Sequence, residues 1–336
     1  MRRLRRNFRK NQSKIILTTA FALVFCLCVG YAAFQTVINF NVKGNIKKKL
    51  LTPRDLTKNV VTTGDGLYAD TTEEGRYIYR GANPNNYIKL GSDMYRIISV
   101  ESDNTLKVIK NGSIGTKAFD EAKARYSTNS TDYCNEDRGC KVWGSKTTTL
   151  DSSGKNVTQM PREVGGTLYN LPDKEATLNI YLNNDWYNSL SSNVQNIVVS
   201  HMFNVGVTEG SETSLANTIT QEQTYKWLGK VGFMNVSDYI KANNNVDSCG
   251  TLSLNQSNYS TCKTTNWIFA SFASTYSWII APYSGSSTYF VFFVSSEGYP
   301  SGINAGGGRG VAPVLYLSFN ISFWGDGTSD SPYTVE

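Results

Sequence analysis

From residue 86 to 111 the chain reads NYIKLGSDMYRIISVESDNTLKVIKN: MYRIISV is apolar with β-branched residues, Ser102, Asp103 and Asn104 are turn chemistry, and TLKVIK alternates with period two. Period-two alternation puts one face of a strand on a core and the other toward water. Together with RYIYRG just before it, this stretch predicts strands and a hairpin. The spacing changes at 177–190, where TLNIYLNNDWYNSL sets Leu178, Tyr181, Leu182, Trp186 and Leu190 near helical intervals. In SSNVQNIVVSHMFNVG a Ser or Asn cap precedes Val194, Ile197, Val198, His201 and Met202 on one side of a second short helix. YKWLGKVGFMNVSDYIKA at 225–242 predicts a strand running into a helix near Ser237, with Ser and Asp as cap candidates. Beyond the last cysteine the pattern is β in character. NWIFAS, STYSWIIAP, TYFVFFVSSEG and GVAPVLYLSFNISF are aromatic and β-branched runs parted by Gly, Ser and Pro. Residues 111–175 are polar and rich in Gly, Ser, Thr and Asn, which predicts long surface excursions with few regular elements.

One stretch breaks with both periods. IILTTAFALVFCLCVGYAAF, residues 15–34, is uncharged, and it follows MRRLRRNFRKNQSK, which carries seven positive charges and no negative one. A helix of that length spans a hydrocarbon core of about 30 Å. Basic residues resist translocation, so the expectation is a cytoplasmic N-terminus and a chain that crosses after Phe34. The length favours a retained anchor over a cleaved signal. GYAAFQTVINFNVKGNIK, however, resembles the export region of secreted surface and biofilm-fibre proteins of Gram-positive bacteria, which favours cleavage; both remain open. The organisation read from the sequence is a basic tail at 1–14, a transmembrane or signal segment at 15–36, a linker at 37–63 and an extracytoplasmic domain at 64–336. Cys26 and Cys28 fall within the apolar run, where they read as small hydrophobes.

Charge follows the same division. Through Lys58 there are 13 Lys or Arg and one acid, giving +12; the remainder carries 20 basic and 26 acidic residues, giving −6. The overall +6 therefore speaks of topology and not of nucleic acid, which is not expected as a partner. Outside the apolar run stand four cysteines, Cys134, Cys140, Cys249 and Cys262. An oxidising destination permits disulfides. Four cysteines allow three connectivities, and closeness in sequence favours Cys134–Cys140 and Cys249–Cys262. Zinc is disfavoured, because neither pair has a two-residue gap and the sole histidine, His201, is distant in sequence. No cofactor is expected.

Several phrases taken together carry a resemblance: LYADTTEEGRYIYRGANPNNYIKLGSDMYRIISVESDNTLKVI, YLNNDWYNSL, KVGFMNVSDYI, TNWIF and GVAPVLYLSFNISFWGDGTSDSPYTV. Over roughly residues 64–336 the chain resembles a large family of uncharacterised exported domains of Gram-positive bacteria. The resemblance implies the C-type-lectin-like fold of the formylglycine-generating enzymes: an α+β domain with two short helices against a small, twisted antiparallel sheet with long loops. One departure is visible. The family's final strand motif has Arg before its proline, whereas here Ala312 precedes Pro313 and Arg309 stands earlier.

The chemistry in the chain is sparse. His201 at an apolar position reads as a packing or capping residue, and no nucleophile elbow accompanies it. The fold resemblance raises a copper oxidase with paired cysteines, but the local pairs read as loop clips. Asn183, Asn184 and Asp185, or Asp326, Thr328 and Asp330, are weak calcium candidates. Neither run fits a calcium-loop spacing, and both read better as a helix surface and a Gly-Asp-Gly turn. GGGRG at 306–310 lacks the Lys-Ser or Lys-Thr of a phosphate loop and reads as a flexible hairpin tip. Twenty Tyr and six Trp among abundant Asn, Ser, Thr and Gly suit a recognition surface, with Trp278, Tyr283, Tyr289, Asn304 and Arg309 as its candidate residues. The expectation is a non-catalytic surface protein, membrane-tethered through 15–34 or secreted, that binds an external glycan or protein. A structural envelope or fibre component and an exported enzyme are the alternatives.

Overall fold

The computed structural model describes residues 19, 22–27, 49–126, 132–250, 261–272, 276–285 and 287–336. The chain divides into two units, 1–49 and 50–336. In the first, residues 22–27 are helical. Most of the expected segment at 15–36, and all of 1–14, lie outside the described residues. No helix among the described residues is long and apolar enough to cross a membrane.

The second unit is mixed α+β. Its main, ten-stranded sheet grows from the hairpin that the alternation at 86–111 predicts: Tyr87–Leu90, Asp93–Val100 and Leu106–Lys110 lie side by side and antiparallel. Val314–Leu317 continues the sheet beyond Leu106–Lys110, and Val198–Val199 and Val231–Gly232 both pair with it. On the other side Tyr333–Val335 lies parallel to Tyr87–Leu90, so the sheet is mixed and not purely antiparallel. Tyr77–Arg80 joins it through Asp93–Val100 and carries Gly66–Ala69 on its outer edge. A five-stranded sheet has the order Pro300–Asn304, Phe290–Val294, Ser277–Pro282, Gly308–Gly310, Thr116–Ala118. A three-stranded sheet joins His201–Asn204, Tyr225–Gly229 and Thr149–Asp151. One apolar core runs through these elements, from Ile88, Ile97 and Val108 to Trp267, Trp278 and Phe292. A smaller cluster surrounds the Cys134–Cys140 disulfide.

The segment 177–190 is helical as its spacing predicts, but it changes pitch. Thr177–Tyr181 is α, Leu182–Trp186 is a π-turn, and Tyr187–Ser189 is α again. The cause is Asn183, whose amide donates to the Asn179 carbonyl at 3.1 Å and to the Val231 carbonyl at 2.9 Å. Its Oδ1 accepts from the Val231 N–H at 3.1 Å. A side chain inserted into the helical ladder and locked to a neighbouring strand is an identifiable source of such a bulge.

Three expectations need correction. The second helix spans only Ser192–Ile197, because β-branched Val198 and Val199 leave it to pair with Leu317 and Tyr316; His201 is therefore on a strand. NWIFAS is not a strand but the start of the helix Trp267–Phe272. Asn266 caps it, its Oδ1 accepting from the N–H groups of Ile268 at 3.0 Å and Phe269 at 3.2 Å. The second unit begins at Leu50 and takes in the end of the expected linker. Leu51 pairs with Phe323, and the short helix Pro53–Leu56 buries Pro53 and Leu56.

Candidate functional site

The five aromatic-loop candidates do not share a surface. Trp278 is wholly buried, donates its indole N–H to the Lys117 carbonyl at 2.9 Å and meets the edge of Phe119. It is a core residue. Tyr283 packs on Phe292 with ring centroids 4.8 Å apart, whereas the Arg309 guanidinium lies 5.1 Å above Phe293. Consecutive residues of the regular strand Phe290–Val294 face opposite sides of the sheet, so Tyr283 and Arg309 are separated by it. Tyr289 stacks under Arg138, and Asn304 ends the neighbouring strand opposite Phe290. The glycine run is not a free hairpin tip. Gly308–Gly310 pairs with Thr116–Ala118, and the Gly306 N–H reaches the Arg138 carbonyl at 2.7 Å.

Both locally paired disulfides, Cys134–Cys140 and Cys249–Cys262, are formed. Asp326 accepts from the N–H and hydroxyl of Thr328 at 3.1 and 2.7 Å, while Asp330 is exposed beside Ser329. Among the described residues no group of three or more His, Cys, Asp or Glu side chains is placed to hold a metal.

The principal constellation is one of buried charge. Arg76 enters from the turn before Tyr77–Arg80, Lys107 from the strand Leu106–Lys110, and Asp238 and Lys241 from the helix Val236–Lys241. All five N–H groups of Arg76 are used. Nε donates to Glu101 at 3.2 Å, Nη1 to Asp70 at 3.1 Å and Glu73 at 2.7 Å, and Nη2 to Ser99 at 3.1 Å and Asp238 at 2.7 Å. Lys107 holds the other oxygen of Asp238 at 2.6 Å and touches Asn235 at 3.2 Å. Lys241 closes the cluster on Asp70 at 2.7 Å and Glu73 at 3.0 Å.

Burial raises the cost of each charge, yet the partners prevail. Against the upward push of desolvation, Lys107 and Arg76 hold the Asp238 carboxyl well below its usual range. Burial would depress Lys107, but Asp238 keeps it above the ordinary lysine value. Glu222, on the helix Leu215–Gln223, is different: desolvation pushes it up to about 7, and the hydrogen bonds it accepts from the Ser237 N–H and hydroxyl only partly oppose this.

Above this cluster opens a polar cleft of about 330 Å³, with Glu101, His201, Gln223 and Lys226 at its sides and Asp238 and Tyr316 at its base. His201 stacks flat on Tyr316 with centroids 3.8 Å apart. Its Nε2 lies 3.6 Å from Asp103 and its Nδ1 3.2 Å from the Met202 carbonyl. The histidine thus packs, as expected, though from a strand, and it also has a charged neighbour at the mouth of a cleft.

Arg76, Lys107 and Lys241 went unremarked in the sequence, and Asp238 was read only as a cap candidate; the cap is Asn235, and Asp238 is the third residue of the helix Val236–Lys241. A signal was present in LKVIK. Leu106, Lys107, Val108 and Ile109 are all buried, so the strand has no solvent face and Lys107 requires a counter-ion. No protein-family model, curated protein or solved structure matches the chain.

Proposed function

We propose that residues 50–336 form the non-catalytic binding head of an exported surface protein, presented to an external glycan or protein. The observation that carries this reading is the saturation of the charged cluster. Every guanidinium donor of Arg76 and both oxygens of Asp238 are engaged internally. Such groups rigidify a surface and leave no free general base among themselves. Two disulfides support an oxidising destination. The C-type-lectin-like likeness belongs to the same proposal. Short helices whose Leu178, Leu182 and Val194 share the sheet's core support it.

The test is saturable binding. The full-length chain in detergent is applied to a glycan array and to immobilised extracellular-matrix proteins, beside His201→Ala. Binding by both forms is the expected result; absence of binding to either surface overturns the reading. The exported-enzyme alternative is favoured by one observation, the His201–Asp103 pair at the cleft mouth. Turnover of a chromogenic ester or glycoside panel that vanishes in a folded His201→Ala protein would move the assignment to it.

A further inference from the structure

A second cleft, of about 480 Å³, is lined by residues from the segment after Leu50 and from the C-terminal turn. Its base is apolar and aromatic: Leu56, Leu67, Tyr79 and Tyr333 are all buried. Its exposed rim is built of carboxamides and carboxylates, Asn59, Asn83, Asn85, Asp65 and Asp326, with no lysine or arginine in the lining.

The rim is organised before any ligand arrives. The Oδ1 of Asn83 accepts from the Tyr87 hydroxyl at 3.1 Å and from Arg96 Nη2 at 3.2 Å. Arg96 is itself fixed, 4.1 Å above the Tyr87 ring and 4.7 Å from that of Trp267. Those bonds settle which way the carboxamide is turned and leave its NH₂ donors for another acceptor. Asp65 is held by the backbone N–H groups of Ala82 at 3.1 Å and Asn83 at 2.8 Å. Ordering costs at such a site have been met by the fold, which favours binding of a small ligand.

We infer that this cleft, bounded by Asn59, Asn83 and Asn85, takes an uncharged saccharide; the inference deepens the binding role above and rests on it. Carboxamides and carboxylates present donors and acceptors side by side, which matches adjacent sugar hydroxyls. The tyrosine and leucine base suits the C–H face of a pyranose. Asp65 and Asp326 repel anionic ligands, and the lining carries no cation to offset them. A protein partner is less suited, because its hot spots seek protruding aromatic or arginine anchors, and this rim offers amides around a hollow.

The experiment applies the full-length chain to an array of neutral oligosaccharides of glucose, galactose, mannose and N-acetylglucosamine, with sialylated and sulfated glycans alongside. The expected result is binding to neutral members and none to the anionic ones. Affinity for the best neutral member should fall at least tenfold in the double variant N59A/N85A, with its thermal midpoint unchanged because both side chains are exposed. Binding that survives N59A/N85A places the sugar elsewhere on the head and overturns the site. Binding abolished by EDTA means a bridging cation and overturns direct recognition. A chain that ignores all neutral glycans yet captures an extracellular protein overturns the saccharide inference while leaving the binding role intact.

Discussion

Glu222 makes the sharpest statement at the scale of a single residue. Desolvation raises it from 4.5 to about 7 in the folded chain, so below pH 4.5 both states hold the proton and its contribution to folding is complete. As pH rises from there through about 7, the unfolded chain loses the proton first and stability falls. Glu222→Gln keeps an acceptor for the Ser237 N–H and cannot ionise. Urea unfolding at pH 5 and pH 7.5 should show the variant gaining on the wild type by about 2 kcal/mol across that interval. Parallel pH dependence in the two proteins would mean that Glu222 is ionised in the fold. Lys141 shows the opposite sign. Burial, aided by Arg162, pushes it down to about 7, while the carbonyls of Arg162, Tyr283 and Ser287 each accept from its Nζ. Its contribution is complete above pH 10.5 and is lost as pH falls through about 7.

Among the elements, the interrupted helix at 177–189 shows how one carboxamide sets the position of a strand. Asn183 satisfies both the N–H and the carbonyl of Val231, the first residue of the short strand Val231–Gly232. Asn183→Ala leaves both without those partners, at a cost of about 2–4 kcal/mol, readable by urea denaturation; a loss below about 1 kcal/mol would mean that water replaces the amide. This bulge was not legible from spacing, because Leu178, Leu182 and Trp186 read the same whether the turn is α or π. The hairpin at 86–111 was legible from its β-branched runs and its Ser-Asp-Asn turn, but the solvent face that alternation in TLKVIK promised is absent, since Leu106 to Ile109 are all buried. Asn104 does adopt a left-handed conformation there, with φ 64°. Aromatic content misled at two places. NWIFAS is a helix because Asn266 caps it, and Trp278 supplies core packing where composition suggested a recognition loop. The clefts were illegible for a different reason. Arg76 and Asp238 stand far apart in the chain, and only the fold brings them to 2.7 Å.

For the whole molecule, the charge pattern supports the proposed export: seven positive charges and no negative one precede the apolar run, and the residues after Lys58 carry −6. The disulfide-clipped unit from Leu50 to Glu336 holds the buried ion cluster and both clefts. A binding role requires that this unit face outward, and exposed lysines report on it directly. Lys58, Lys123 and Lys146 are solvent-accessible on the head, whereas Lys10 and Lys14 belong to the basic tail. Intact cells expressing the full chain can be treated with a membrane-impermeant amine reagent and the peptides read by mass spectrometry. The account predicts modification of Lys58, Lys123 and Lys146 on intact cells, with any Lys10 or Lys14 modified only after permeabilisation. Head lysines that stay unmodified until the membrane is breached would contradict it.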